Sequence, residues 1–185
     1  MKFFSTREDK TALTVSQAMK KGIAPDKGLY IPSEIPKIDM DSLPDSFPDI
    51  AYHVIAPFFK GDILEPKLKE ICHKVFDFDV PLKTMDESVD ILELFHGPTA
   101  AFKDFGARFL AECLAQLQLL ENKKVSILVA TSGDTGGAVA AAFYKRPCTE
   151  VFVLFPEGRV SNRQEKQLTC WGENIKSISV KGSFD

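Results

Sequence analysis

The sequence predicts an α/β fold: a helical N-terminal domain over residues 1–80, then an incomplete three-layer α/β domain over residues 81–185 built on a parallel sheet. Three observations carry this reading. The texture changes near residue 80, from amphipathic stripes broken by prolines to continuous apolar runs. The runs Val125–Ala130, Val151–Phe155 and Ile175–Val180 alternate with helical segments. Near-continuous apolar strands joined through helices belong to parallel sheets covered on both faces, with right-handed crossovers. Three strands are few for such a sheet, hence an incomplete domain.

The elements follow in order. Thr14-Val-Ser-Gln17 is a capping box opening a helix through Met19, and Gly22 can close it. Pro25–Gly28 is a turn, followed by the short apolar segment Leu29–Ile31. Prolines at 32, 36, 44 and 48 mark residues 32–48 as loop. Ile50, Val54 and Phe58 lie at four-residue spacing on a second helix. Pro66 suits a helix start, and Leu68, Ile71, Cys72, Val75 and Phe76 form an apolar stripe behind it. A longer helix runs from about Asp104 to Glu121, with Phe109, Leu110, Cys113, Leu114 and Leu117 on one side. Small residues open a helix over Gly136–Phe143, and Ser161–Trp171 is the last helix.

Composition bounds the function. Hydrophobic residues make up 44% and charged residues 26%, values of a chain able to bury a core. With 23 basic against 26 acidic residues, a net charge of −3 argues against nucleic acid as a partner, which needs a basic face. The N-terminus carries no apolar signal segment, and no run approaches the ~18 apolar residues of a membrane span. A cytoplasmic protein without a membrane partner is expected. The cysteines at 72, 113, 148 and 170 form no C-x-x-C pair and are expected to be reduced and structural. No metal-ligand spacing recurs among Cys, His53, His73 and His96, so no metal site is expected.

Two segments carry chemistry. Thr131-Ser-Gly-Asp-Thr-Gly-Gly137 follows a strand and opens a helix, where exposed N–H groups, the helix dipole and three hydroxyls can bind an anion. The plainer reading is a capped strand-to-helix turn. Its glycine order fits neither the dinucleotide fingerprint nor a P-loop. The second segment centres on Lys103. A lone lysine is usually a solvated surface charge. This one sits at a helix start among Ala100, Ala101, Phe102 and Phe105. Desolvation and the helix dipole there favour a neutral, nucleophilic amine suited to Schiff-base chemistry.

Glu93-Leu-Phe-His-Gly-Pro-Thr-Ala-Ala-Phe-Lys103-Asp-Phe-Gly-Ala-Arg-Phe109 closely resembles the pyridoxal-phosphate attachment segment of the threonine synthase family. Ala130–Ala138 resembles that family's substrate-anchoring turn, with Asp134 as in its bacterial and fungal members. Ser5-Thr-Arg7 and Gly22–Pro32 resemble the family's N-terminal domain, and Pro156–Ser161 through Gln164-Glu165 also fits. The resemblance covers essentially the whole chain, in order.

The resemblance implies a fold type II pyridoxal-phosphate enzyme, with residues 1–80 a threonine-synthase-like N-terminal domain and 81–185 a partial cofactor domain. It implies conversion of O-phospho-L-homoserine and water to L-threonine and phosphate, a carbon–oxygen lyase reaction. Lys103 is the implied catalytic and cofactor-holding residue, with Phe102 and Asp134 beside the cofactor. Thr131, Ser132, Gly133 and Thr135 are implied to face the substrate. His96, Arg108 and Arg163 are weaker candidates for which turn or surface roles are expected. The family's phosphate cup is expected after residue 185, so the chain is expected to be an N-terminal portion, inactive alone. A phosphate-eliminating relative releasing a keto acid and a non-catalytic fragment remain as alternatives.

Overall fold

A computed structural model of the chain describes residues 1–121 and 123–182. It divides into two compact units, Met1–Asp77 with Glu112–Leu117, and Phe78–Ala111 with Gln118–Asp185.

In the first unit, β1 (Phe3–Ser5) pairs antiparallel with β2 (Tyr30–Pro32), Phe4 opposite Ile31. This ribbon is absent from the sequence reading because three-residue strands are too short to show an alternating pattern. Asp26, in the turn before β2, ties it together. Its carboxylate accepts from the Asp9 N–H at 2.7 Å, Ser5 Oγ at 2.7 Å and the Gly28 N–H at 2.9 Å. These bonds, the Asp9 N–H foremost, hold its carboxyl down at about 2. Helix α1 (Val15–Lys21) carries the expected Thr14–Gln17 capping box and ends on Gly22 at φ +69°. Helix α2 (Phe47–Phe59) starts inside the segment expected to be loop. Ser46 accepts the Asp49 N–H as its cap, and Pro48 lies in the first turn, where a missing N–H breaks no helical bond. Helix α3 (Leu68–Val75) buries Leu68, Ile71, Cys72 and Val75.

Against these pack Phe59 and Leu64, and Cys113, Leu114 and Leu117 from the middle of α4 (Lys103–Glu121) complete the buried set. Burial pushes the Cys72 thiol up to about 11 and the Cys113 thiol higher still. Both are protonated core groups. Cys148 and Cys170 are exposed, so the structural role expected of all four holds for only two. Glu112, 1% exposed, accepts from Lys74 Nζ at 2.9 Å and Gln116 Nε2 at 3.0 Å, which a buried carboxylate requires.

In the second unit, β3 (Leu82–Thr84) and β4 (Asp90–Leu92) form an exposed antiparallel hairpin, also without a sequence signature. Strands β5 (Val125–Ala130), β6 (Thr149–Pro156) and β7 (Ile175–Val180) make a parallel sheet in the order β5-β6-β7. The connections are α5 (Asp134–Phe143) and α6 (Asn162–Thr169), the latter with its own Ser161–Gln164 capping box. Val151, Val153 and Ile175 are buried on one face, where Leu168 of α6 and Gly136 of α5 meet Val153. The other face carries exposed side chains. Leu128 is 71% exposed, Ile178 43% and Val180 42%. Among the described residues both crossover helices lie on the Val153 face, while Phe152 and Leu154 on the other face are partly buried.

Two predictions follow from close packing. Asp62 is buried and accepts from the Ser16 N–H at 3.0 Å, Ser16 Oγ and the Leu64 N–H at 2.9 Å. Burial alone would raise its carboxyl; the bonds from Ser16 and Leu64 outweigh it and hold it below the ordinary carboxylate range. Its stabilising contribution is therefore present above that range and lost as pH falls through the depressed folded value. Asp62→Ala is expected to lose about 2 kcal/mol in urea denaturation at neutral pH, and progressively less at acid pH. Gly136 is tighter. A Cβ there would stand 2.4 Å from Thr131 Cγ2 and 2.8 Å from Leu168 Cδ2, both buried. Gly136→Ala gains ~1 kcal/mol of helix propensity but faces an overpacking cost of up to about 3 kcal/mol, so denaturation should show a net loss.

Candidate active site

Lys103 is the first residue of α4 and is half-buried. Its Nζ stands 3.7 Å from the ring centroid of Phe102, itself 57% exposed. Among the described residues the amine has no carboxylate or hydrogen-bond partner.

The turn that delivers Lys103 is held by Asp104, which the sequence reading did not single out. Asp104 is 1% exposed. Its Oδ2 accepts the Thr99 N–H at 2.9 Å and its Oδ1 accepts Thr99 Oγ1 at 2.7 Å. The carboxylate lies so close to Gly97 that a Cβ there would be 2.5 Å from Oδ2. Between them Ala100 adopts φ +55°, a left-handed conformation costing a non-glycine residue roughly 1–2 kcal/mol. The Asp104–Thr99 pair keeps that turn closed. An acid in the first turn of a helix reads locally as a dipole partner. The available signal was a Gly-Pro-Thr turn ending five residues earlier.

The loop between β5 and α5 is organised from within. Thr131 is 2% exposed. Its Oγ1 accepts the N–H groups of Gly133 at 3.1 Å and Gly136 at 2.9 Å and donates to the Gly133 carbonyl at 3.1 Å. Thr131, expected to face a substrate, thus has its hydroxyl bonded to its own loop. Ser132, Asp134 and Thr135 are exposed; Gly133 is buried under Gln164 of α6, whose Nε2 donates to Asp134 Oδ1 at 3.3 Å.

A cleft of about 170 Å³ brings the two segments together. Pro98 and Thr99 line it with Asp134 and Gly137, and Trp171 and Cys170 complete its wall. Its size is below the roughly 300 Å³ at which pockets for drug-sized ligands begin. It therefore suits part of a ligand. Lys103, Ser132 and Thr135 do not line it. His96 is paired with Glu93, Nε2 to Oε2 2.7 Å, and stacks on Phe95. The Arg108 guanidinium lies 5.3 Å from the Phe78 ring centroid, and Arg163 is exposed on α6. Asp104→Ala should leave Thr99 unpaired and cost about 2 kcal/mol in chemical denaturation, while Asp104→Glu, too long for the turn, should recover little of it.

The sequence model described as threonine synthase N terminus matches residues 2–76. The chain is 36% identical over 189 residues to threonine synthase of Serratia marcescens, an alignment covering 100% of this chain and 44% of the relative. Its fold matches the crystal structure of threonine synthase from Escherichia coli with a TM-score of 0.91 at 36% identity, over 100% of this chain and 44% of that one. The PLP-bound threonine synthase from Brucella melitensis matches with a TM-score of 0.88 at 36% identity, over 100% and 42%. The chain thus spans less than half the length of the relatives it matches. With sequence and fold agreeing along the chain, it is similar to the N-terminal portion of threonine synthases.

Proposed function

We propose that the protein to which these residues belong is a threonine synthase, converting O-phospho-L-homoserine and water to L-threonine and phosphate with pyridoxal 5′-phosphate on Lys103. One observation carries the reading. The Lys103 amine, half-buried beside an aromatic ring at a helix start, has no ion-pair partner among the described residues. An amine not held by a carboxylate is available to condense with an aldehyde, so the residues present fit the cofactor.

When bound, the cofactor supplies an electron sink for charge developing on the substrate carbons. The chain's own residues do the rest. Lys103 would hold the cofactor, and its freed amine would move protons at the α and β carbons of the substrate. The exposed hydroxyls of Ser132 and Thr135, with the N-terminal amides of α5, bind the substrate carboxylate. Thr131 keeps those amides in place through its bonds to Gly133 and Gly136. Asp134 would lie on the side of the cofactor's phenolic oxygen, and the Phe102 ring, 3.7 Å from the Lys103 amine, would lie beside the cofactor.

The test uses a chain of the relatives' full length. Borohydride is expected to trap the cofactor on Lys103, seen by peptide mass. Lys103→Ala should abolish the adduct and lower turnover by on the order of 10²-fold or more. Threonine and phosphate should appear in equal amounts. A keto acid with phosphate, or a reducible adduct on another lysine, would overturn the assignment.

A further inference from the structure

We propose that Gln164 is a positioning residue that orients the Asp134 carboxylate over the loop between β5 and α5. The inference rests on the reading of Asp134 as a cofactor-facing group and adds a residue from a different element to that site.

Three observations converge on Gln164. First, its Oε1 accepts the Ser161 N–H at 3.2 Å and Ser161 Oγ at 3.1 Å, the reciprocal half of the α6 capping box. Because a backbone N–H can only donate, this bond fixes the amide orientation, and Nε2 must point the other way. Second, Nε2 then faces Asp134 and donates to Oδ1 at 3.3 Å, across 30 residues of sequence. Third, the side chain crosses the loop at Gly133, where a Cβ would come within 2.3 Å of Nε2. Glycine at 133 leaves room for it. One rigid amide thus has its oxygen anchored by a helix cap and its nitrogen aimed at a loop carboxylate. Asp134 is exposed at the start of α5, where, among the described residues, no other group holds its carboxylate. The charge–dipole bond from Gln164 selects one orientation.

Gln164→Glu separates this role from the structural one. Glutamate serves equally well at the third helical position of a capping box and favours the first turn, so α6 keeps its cap. It loses the donor and sets a second carboxylate against Asp134. A like charge makes nearby acids harder to ionise. Cys170 is the other titratable group lining the adjoining cleft, and it lies at the end of α6 rather than at the Gln164–Asp134 contact.

The experiment has two arms on the full-length protein. Without cofactor, the Gln164 side-chain amide protons are followed by NMR across acid pH. They should titrate, and the titration should vanish in Asp134→Asn. An amide that does not sense Asp134 overturns the inference whatever the cofactor does. With pyridoxal phosphate loaded, Gln164→Glu should keep the wild-type melting temperature and move the pH midpoint of the cofactor absorbance upward by about one unit. Its kcat should fall while KM stays within roughly twofold. Ser161→Ala, which weakens the cap but leaves the backbone N–H on Oε1, should melt lower with an unchanged midpoint. A midpoint unmoved by Gln164→Glu, or moved equally by Ser161→Ala, overturns the positioning role. Loss of the reducible adduct in Lys103→Ala confirms the underlying reading separately; an adduct persisting there sinks that reading and leaves the cofactor-free arm to decide on Gln164.

Discussion

The hydroxyl of Thr131 ties the end of β5 to the start of α5, and the geometry of the candidate site follows from it. It takes two backbone N–H groups and gives to one carbonyl while buried at 2% exposure. A buried hydroxyl with all its capacity matched adds rigidity, whereas an unmatched one would cost folding energy. The tie works because Gly136 lets the helix approach Thr131, Val153 and Leu168 without a side chain in the way. With the loop's inward side closed, Ser132, Asp134 and Thr135 face outward. The loop's polar side chains point outward because the Thr131 hydroxyl closes its inward side.

Buried carboxylates recur as joints in the chain. Asp62 binds the first turn of α1 through Ser16, Glu112 sits between Lys74 and Gln116, and Asp104 closes the Gly97–Ala101 turn. Each is below 10% exposure and each has donors within 3.0 Å. A carboxylate can serve this way only when its oxygens are occupied, since desolvation otherwise drives it to take up a proton. Two are packing joints. Asp104 neighbours Lys103, so the strain at Ala100 and the start of α4 are set by the same contact.

Much of the fold was legible because helices and parallel strands leave long periodic signals. The α1 capping box, the α3 stripe and the limits of β5 and β7 appear where the pattern placed them. The ribbon of β1 and β2 and the hairpin of β3 and β4 were not legible, because three residues carry no period and the hairpin is exposed throughout. Exposure along the sheet was not legible for a different reason. Apolar runs such as Val125–Ala130 show that a strand tolerates burial on both sides, but the neighbours that bury it are not encoded in the strand. Alternating exposure along β5, with Leu128 open, is decided by which helices arrive.

The sequence by itself determined the identity of the chemical groups: a lysine at a helix start, a hydroxyl- and glycine-rich turn after a strand, and the family motifs around both. Local spacing suffices for these because helix starts and strand-to-helix turns form from neighbouring residues. Only the tertiary structure decided which groups act together. It turned Thr131 inward, set Asp104 against Gly97 and Thr99, and brought Gln164 from α6 to Asp134 on α5. The Gln164 contact spans 30 residues, beyond the reach of any helical or strand period. It exists because α5 and α6 pack on the same face of one parallel sheet.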